Sequence, residues 1–575
     1  MASMAIPAGP VARARKTERA QRAQRTTGSP PAQVEQGFAY DRLMLVMLLF
    51  AGAIFLIAAR LTHLQISADG TTSAAGIGGV PVRADIVDRN GVVLATNIEA
   101  WAIGIQPAAI IGDKADLAAK LNELMPEQSA EWYLEQLNRP VRFTYIRRNA
   151  EPQLIEAVNA LGEPGITFGK EPERLYPQGM LGGHVLGWVD ASGTGAAGVE
   201  RAMQEQLLSD GGRGAPLALS IDSRVQAVME EELGNAMTSL QAQGGTGIIL
   251  DVDTGEVVAL ASGPTFNPNV PREANPESLR NNAIQSVYEL GSTFKPLTVA
   301  AALDAGVTNP SERWDAVSPV MIGRHSIGDS HPAGRWLTLP EVLTKSSNIA
   351  SARIGERVGI ERMDAMFRNL HFHERPALEL RERARTMYPT QWSRPTLLTA
   401  AFGHSVAVTP LHLANAYATL VNGGIYRPTT LLRVDRAPEG QRVFTAQTSA
   451  TINQMLRLIV TNGTGRKAEA EGFRVGGKTG TAEKPGAGGY SKSVNVSTFV
   501  AAFPMDRPRY VVLVMLDAPK ANAETQGQTT AGWTAAPVVS KVIARTGALL
   551  GIVPSLTQDV DVSRMAHLVE GAQEN

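Results

Sequence analysis

From Leu43 to Ala59 the chain reads LMLVMLLFAGAIFLIAA, a run with no charged side chain. Such a run is at the short end of what spans hydrocarbon, and Leu61 and Leu64 can lengthen it. A cleaved signal peptide would have a shorter apolar core ending in small residues at a cleavage site. Here the run starts well into the chain and continues into RLTHLQI, which reads as more helix. Nothing before it could form a domain against which a core helix would be buried. The segment is therefore expected to be a single uncleaved anchor. Ahead of it stand Arg13, Arg15, Lys16, Arg19, Arg22, Arg25 and Arg42, against only Glu18, Glu35 and Asp41. That excess places the N-terminus in the cytoplasm and everything after residue 60 outside. The tail is rich in Ala, Gln, Pro and Thr and is expected to be disordered. Its basic run reads as a topology signal and a contact with anionic lipid, with no nucleic-acid role.

At 575 residues the chain is long enough for two or three folded units. A formal net charge of -1 gives no bias toward nucleic acid, and 44% apolar residues is too low for a polytopic membrane protein. The absence of cysteine excludes disulfides, thiolate zinc sites and a cysteine nucleophile.

Two regions follow the anchor. In the first, about 65–215, VPVRADIVDRNGVVLATN reads as two short strands around Asp88-Arg89-Asn90-Gly91, with Asn-Gly as the hairpin signal. Helical patterning falls at Lys114–Leu124 and Ala150–Leu161. A glycine-rich stretch comes next, and no cluster of catalytic type is present, so this region reads as a spacer or docking module. In the second, about 216–548, Asp222 can cap a helix through Gln226 and Leu233. Gly247–Val252 and Val257–Ser262 flank a turn, Asp253-Thr254-Gly255-Glu256. Ser497–Ala502 and Tyr510–Leu516 read as adjacent antiparallel strands. Strands at both ends of a region enclosing a helical stretch predict an α/β domain, with a central antiparallel sheet and a helical subdomain beside it.

Three motifs carry chemistry. In Ser292-Thr293-Phe294-Lys295 the hydroxyl and the amine share one helical face. A serine hydroxyl needs a base, and lysine serves if burial or a second cation depresses its pKa. A helix N-terminus at the serine would favour an oxyanion, and Gly291 permits a tight approach. Alone this motif is weak, since S-x-x-K should arise by chance roughly twice in such a chain. Ser346-Ser347-Asn348 alone could be a turn or helix cap. Lys478-Thr479-Gly480-Thr481 offers a positive charge and hydroxyl donors for a carboxylate, and its glycines suggest a strand edge approached closely by a ligand; alone it could be an exposed turn. Together, S-x-x-K, S-x-N and K-T-G stand in the order of the penicillin-binding set, with K-T-G just before the last two strands.

The chain resembles the class B penicillin-binding proteins across nearly all of 43–545. The spacer carries further matches: Arg83, Asp85, Asp88–Gly91, Arg174, Tyr176, Pro177, Gly179, Gly195, Gly198 and Glu200. FNPN at Phe266–Asn269, RNNA at Arg280–Ala283 and TPLHLANAYATLVNGG at Thr409–Gly424 also match. Lys345–Asn348 (KSSN) and the compact spacer favour the septal branch, penicillin-binding protein 3, over the elongation branch. Leu290 departs from the pattern, which has proline there. The resemblance implies a cytoplasmic tail (1–42), a transmembrane helix (43–60), an elongated α+β pedestal of dimerisation type (61–215), a transpeptidase domain (216–548) and a C-terminal tail (549–575).

The resemblance also implies a D,D-transpeptidase of the cell inner membrane, catalytic domain periplasmic, that needs no cofactor or metal. Ser292 would be the acylated nucleophile and Lys295 its base. Ser346 would relay the proton and Asn348 would hold the substrate amide. Lys478, Thr479, Gly480 and Thr481 would bind the carboxylate of a D-Ala-D-Ala stem peptide or of a β-lactam. The backbone N–H groups of Ser292 and Thr481 would form the oxyanion hole. Implied partners are a polytopic peptidoglycan glycosyltransferase and other division proteins. The competing readings are an elongation-type transpeptidase and a β-lactam sensor or scaffold without transpeptidation; intact Lys295, Asn348 and Lys478 argue against a dead scaffold. A metal site at His371 and His373 is disfavoured, because their spacing lacks the helical i, i+4 pairing.

Overall fold

The computed structural model describes residues 36–68, 81–212, 214–486 and 489–570. The basic tail before residue 36 and residues 69–80 lie outside the described residues. Contacts divide the chain into a unit up to Ser73 and a compact unit from Ala74 onward. The first contains helix α1, Gln36–Ala68. Along it Met44, Leu48, Leu49, Phe50, Phe55 and Leu56 are largely exposed. Among the described residues, no helix is long and apolar enough to cross a membrane.

The second unit begins with strands β1 (Ile86–Val87) and β2 (Val93–Ile105). They are antiparallel around the expected Asn-Gly turn, where Gly91 takes φ +85. Helices α2 (Lys114–Leu124) and α3 (Ala130–Asn138) follow, then β3 (Thr144–Ala150), α4 (Pro152–Asn159) and β4 (Ile166–Leu175). The α4 helix is shorter than the expected Ala150–Leu161, because Ala150 ends β3 and Pro152 suits only the first helical turn. Both β3 and β4 pair with β2, and Ile103, Ile105, Leu117, Leu121, Leu137 and Ile146 close a small core against the helices.

Glu200 ties the glycine-rich stretch to this sheet. It is fully buried and bonds Arg83 Nε and Arg174 Nε, each at 2.7 Å. Its carbonyl accepts from Arg83 Nη2 at 2.7 Å. One carboxylate thus pairs with two buried guanidinium groups, an arrangement that tolerates no missing member. Asp88 makes the other link. Its Oδ2 accepts from the Ser223 amide and hydroxyl, at the start of the first helix of the next region.

That region joins through β5 (Leu217–Ala218), which runs parallel to β1. Helix α5 (Ser223–Ser239) is capped by Asp222 as expected. Next come β6 (Gly244–Asp251), β7 (Val257–Gly263), helix α6 (Lys295–Asp304), α7 (Leu339–Lys345), α8 (Asn348–Val358), α9 (Pro410–Val421) and α10 (Ala446–Asn462). Strands β8 (Gly476–Gly486), β9 (Gly489–Phe503) and β10 (Tyr510–Asp517) and helix α11 (Ala535–Thr546) complete it. The sheet order is β8-β9-β10-β6-β7, antiparallel throughout, which is the expected central sheet. Alternation divides its side chains. Val500, Leu513, Ile248 and Leu260 face the helical lobe with Phe294 and Leu297. Phe499, Val512, Val514 and Ile249 face Val225 of α5 and Val539 of α11.

Residues 549–570, expected as a tail, fold back instead. Met565, Ala566 and Val569 are buried in the core of the helical lobe, Asp559 pairs with Arg457 at 2.7 Å, and Glu570 pairs with Arg335 at 2.6 Å. Apolar side chains spaced three and four apart give this segment a face to bury. Glu200→Ala should cost about 3–5 kcal/mol by stranding two buried cations. Thermal unfolding of the detergent-solubilised chain should show the midpoint lowered by roughly 5 °C or more.

Candidate functional site

Gly291–Phe294 forms a 3-10 turn leading directly into α6, so Ser292 and Lys295 fall one turn apart. Gly291 takes φ +56, a left-handed conformation that favours glycine. Leu290, the departure from the family pattern, is buried, and its carbonyl accepts from the Thr293 hydroxyl at 2.9 Å. The edge strand β8 lies against this turn. A Cβ on Gly480 would come within 2.5 Å of the Leu290 carbonyl oxygen. The glycine expected to admit a ligand therefore admits the chain's own serine-bearing turn.

Ser346 ends α7 in a left-handed conformation, φ +62, and Ser347 caps α8, whose first residue is Asn348. The S-x-N segment is thus a helix cap on both sides and also part of the site. The Lys295 amine meets Ser292 Oγ at 3.0 Å, the Ser346 carbonyl at 2.5 Å, Ser346 Oγ at 3.1 Å and Asn348 Oδ1 at 2.7 Å. Lys295 is fully buried. Burial, and then the neighbouring Lys478 charge, hold its pKa well below the ordinary lysine value, with Asp329 opposing. A neutral amine has two N–H groups and one lone pair. The Ser346 carbonyl and Asn348 Oδ1 only accept, so they take the two N–H groups. The lone pair is left for a hydroxyl, and Ser292 and Ser346 are the two within reach.

Lys478 pairs with Val500 across the β8–β9 ladder and so points to the helical-lobe face. Its amine is fully buried and donates to Ser346 Oγ at 3.0 Å and to Thr479 O at 3.0 Å. Burial pushes its pKa down to about 7. Thr479 and Thr481 alternate to the other face. There Thr479 Oγ1 meets Thr464 Oγ1 at 2.8 Å, and Thr481 Oγ1 accepts from the Ala531 amide at 3.1 Å.

All eight residues singled out in the sequence meet here. Ser292, Ser346, Asn348, Thr479 and Thr481 line a cleft of about 610 Å³; Lys295 and Lys478 lie behind its wall, and Gly480 packs against the serine turn. Sequence reasoning missed Asp329, Thr464 and Trp533, which also line the cleft. Asp329 accepts from the Asn348 amide at 2.5 Å, the Ile349 amide at 3.1 Å and the Ser347 hydroxyl at 2.6 Å. It caps α8 from eighteen residues upstream of Ser347, a tertiary contact with no local signal. His371 and His373 lie apart from the cleft, each beside Glu374.

Residues 245–544 match the penicillin-binding protein transpeptidase domain, and 79–212 match the penicillin-binding protein dimerisation domain. The chain belongs to the class B penicillin-binding proteins. A probable peptidoglycan D,D-transpeptidase FtsI of Caulobacter vibrioides is 39% identical over 494 residues, 83% of each chain. Peptidoglycan D,D-transpeptidase FtsI of Escherichia coli is 31% identical over 80% of this chain and 82% of its own. Penicillin-binding protein 3 of Mycobacterium tuberculosis, complexed with aztreonam, superposes with TM-score 0.65 at 25% identity, covering 84% of this chain and 99% of that one. In this penicillin-binding protein the expected penicillin-binding protein 3 type is borne out.

Removing the Lys478 charge and its bulk should raise the pKa of Lys295, because a nearby cation and burial both depress it. In Lys478→Ala the acid limb of the pH profile of β-lactam acylation should therefore move to higher pH. Labelling rates measured across pH check the shift.

Proposed function

We propose that Ser292 is the acyl-accepting nucleophile of a peptidoglycan D,D-transpeptidase and that neutral Lys295 is its base. The observation that carries this is the four-contact environment of the Lys295 amine, which leaves its lone pair for a hydroxyl. Ser292 Oγ attacks the carbonyl of the penultimate D-alanine, and its proton passes to Lys295. Ser346 lies within hydrogen-bond reach of both lysines and relays that proton to the departing D-alanine amine. The peptide C–N bond breaks and an ester to Ser292 remains. An amine of a neighbouring strand then attacks the ester, and the relay runs in reverse. Asn348 Nδ2 holds the donor's amide, and the backbone N–H groups of Ser292 and Thr481 receive the oxyanion. A β-lactam follows the first half of this path and stops at the ester.

The same reading assigns a cytoplasmic tail to 1–42, an inner-membrane anchor to 43–60, a pedestal to 61–215, the transpeptidase domain to 216–548 and a terminal segment to 549–575. The exposed apolar side chains of α1 and the basic tail support the anchor, with the catalytic domain periplasmic. The FtsI relatives support action at the division septum, beside a polytopic glycosyltransferase that polymerises the strands.

A fluorescent penicillin should label the wild type in a band that survives denaturation. Ser292→Ala should give no band while resisting protease like the wild type, and it should fail to restore division to filamentous cells depleted of the protein. An adduct mapped to another serine, such as Ser346, would sink the assignment.

A further inference from the structure

The K-T-G lysine stands behind the threonine that lines the cleft. Lys478 is fully buried and its amine is held by Ser346 Oγ, by the Thr479 carbonyl and, at 3.2 Å, by the Thr479 hydroxyl, so the cleft side of the threonine hydroxyls is left for a second cation to meet a carboxylate lying against them. Contacts lead from Thr479 to one. Thr479 Oγ1 bonds Thr464 Oγ1 at 2.8 Å. A Cβ on Gly532 would lie 2.8 Å from the Thr464 carbonyl oxygen and 3.9 Å from Thr479 Cγ2. Trp533 follows, and the Lys467 ammonium sits 4.0 Å from the centre of its ring. A cation over an indole face is held in place yet keeps its full charge. Arg466 is next to it, exposed, with one contact of its guanidinium to the Asn462 carbonyl.

Both side chains line the same cleft as Ser292, Thr479 and Thr481. Among the described residues that line it, Asp329 is the only acid, and both its oxygens already cap α8. No carboxylate of the chain pairs with Lys467 or Arg466 among the described residues. We propose that Lys467, fixed against Trp533, together with Arg466, supplies the positive charge that draws the substrate's terminal carboxylate onto the threonines of the K-T-G strand. This leaves Lys478 to act on Ser346. The two lysines then have separable tasks, Lys467 in capture and Lys478 in proton relay. The inference rests on the acyl-transfer reading of the cleft.

Benzylpenicillin presents that carboxylate charged and its methyl ester presents it capped and neutral, and comparing each across variants separates capture from chemistry. The rate of acylation by each is measured against concentration, giving a dissociation constant for the initial complex and a rate constant for the acylation that follows. The acid-to-ester ratio of acylation efficiency cancels any general loss of reactivity. In Lys467→Gln this ratio should fall about fivefold, and further in the double variant with Arg466→Gln, as expected for losing a partly screened charge contact. The loss should appear in the dissociation constant, and added salt should lower the wild-type ratio in the same direction. An unchanged ratio in the double variant, or a loss confined to the acylation rate constant, would overturn the proposal. Failure of benzylpenicillin to acylate the wild type at all would instead bring down the acyl-transfer reading.

Discussion

The amine of Lys295 is fully buried, and the rest of the site follows from how the chain compensates. Burying an ammonium is costly, so the group is depressed toward the neutral form and its two N–H groups are taken by a backbone carbonyl and a side-chain amide oxygen. Both come from the Ser346–Asn348 segment, and that segment can present them only because Ser346 adopts a left-handed conformation between two helices. Asp329 fixes the second helix by capping it. The first, the seven-residue α7, is fixed by a capping box at its start. At its start Glu341 accepts from the Thr338 amide at 3.0 Å and is paired with Arg335. Helix caps usually contribute about 1 kcal/mol to stability; here they also set the direction of a lone pair.

Strand alternation divides the labour in K-T-G. Successive side chains of β8 point to opposite faces. Lys478 therefore goes to the helical lobe, where it meets Ser346, and Thr479 and Thr481 go to the side that carries Thr464, Gly532 and Trp533. The absence of a side chain on Gly480 brings β8 against the Ser292 turn. A one-residue slip of this strand would bury the hydroxyls and expose the lysine. That slip is opposed by the paired register along β9, from Gly476 with Ala502 to Glu483 with Asn495.

Much of this was legible in the sequence. Lys114–Leu124 was bounded without error because Asp113 caps it and its apolar residues recur with helical period. The hairpins around Gly91 and Asp253–Glu256 were marked by turn residues, and the three catalytic motifs by their order. What the sequence hid was tertiary. Nothing local ties Asp329 to Asn348, Asp559 to Arg457 or Glu570 to Arg335. The burial of Lys478 was also hidden, since a lysine between glycines and a threonine reads as exposed until the strand is placed between β9 and the serine turn. The K-T-G motif named the right residues but not the face each would occupy.

The central claim is that Lys295 is neutral when Ser292 reacts. The direct measurement is the pH dependence of the rate constant for acylation of the wild-type chain by a penicillin, from acid into the lysine range. The account predicts an acid limb well below the ordinary lysine value of 10.5, with the rate already level before that value is reached. A rate still rising through about pH 10 would mean that Lys295 stays charged in the folded protein, and would contradict the account.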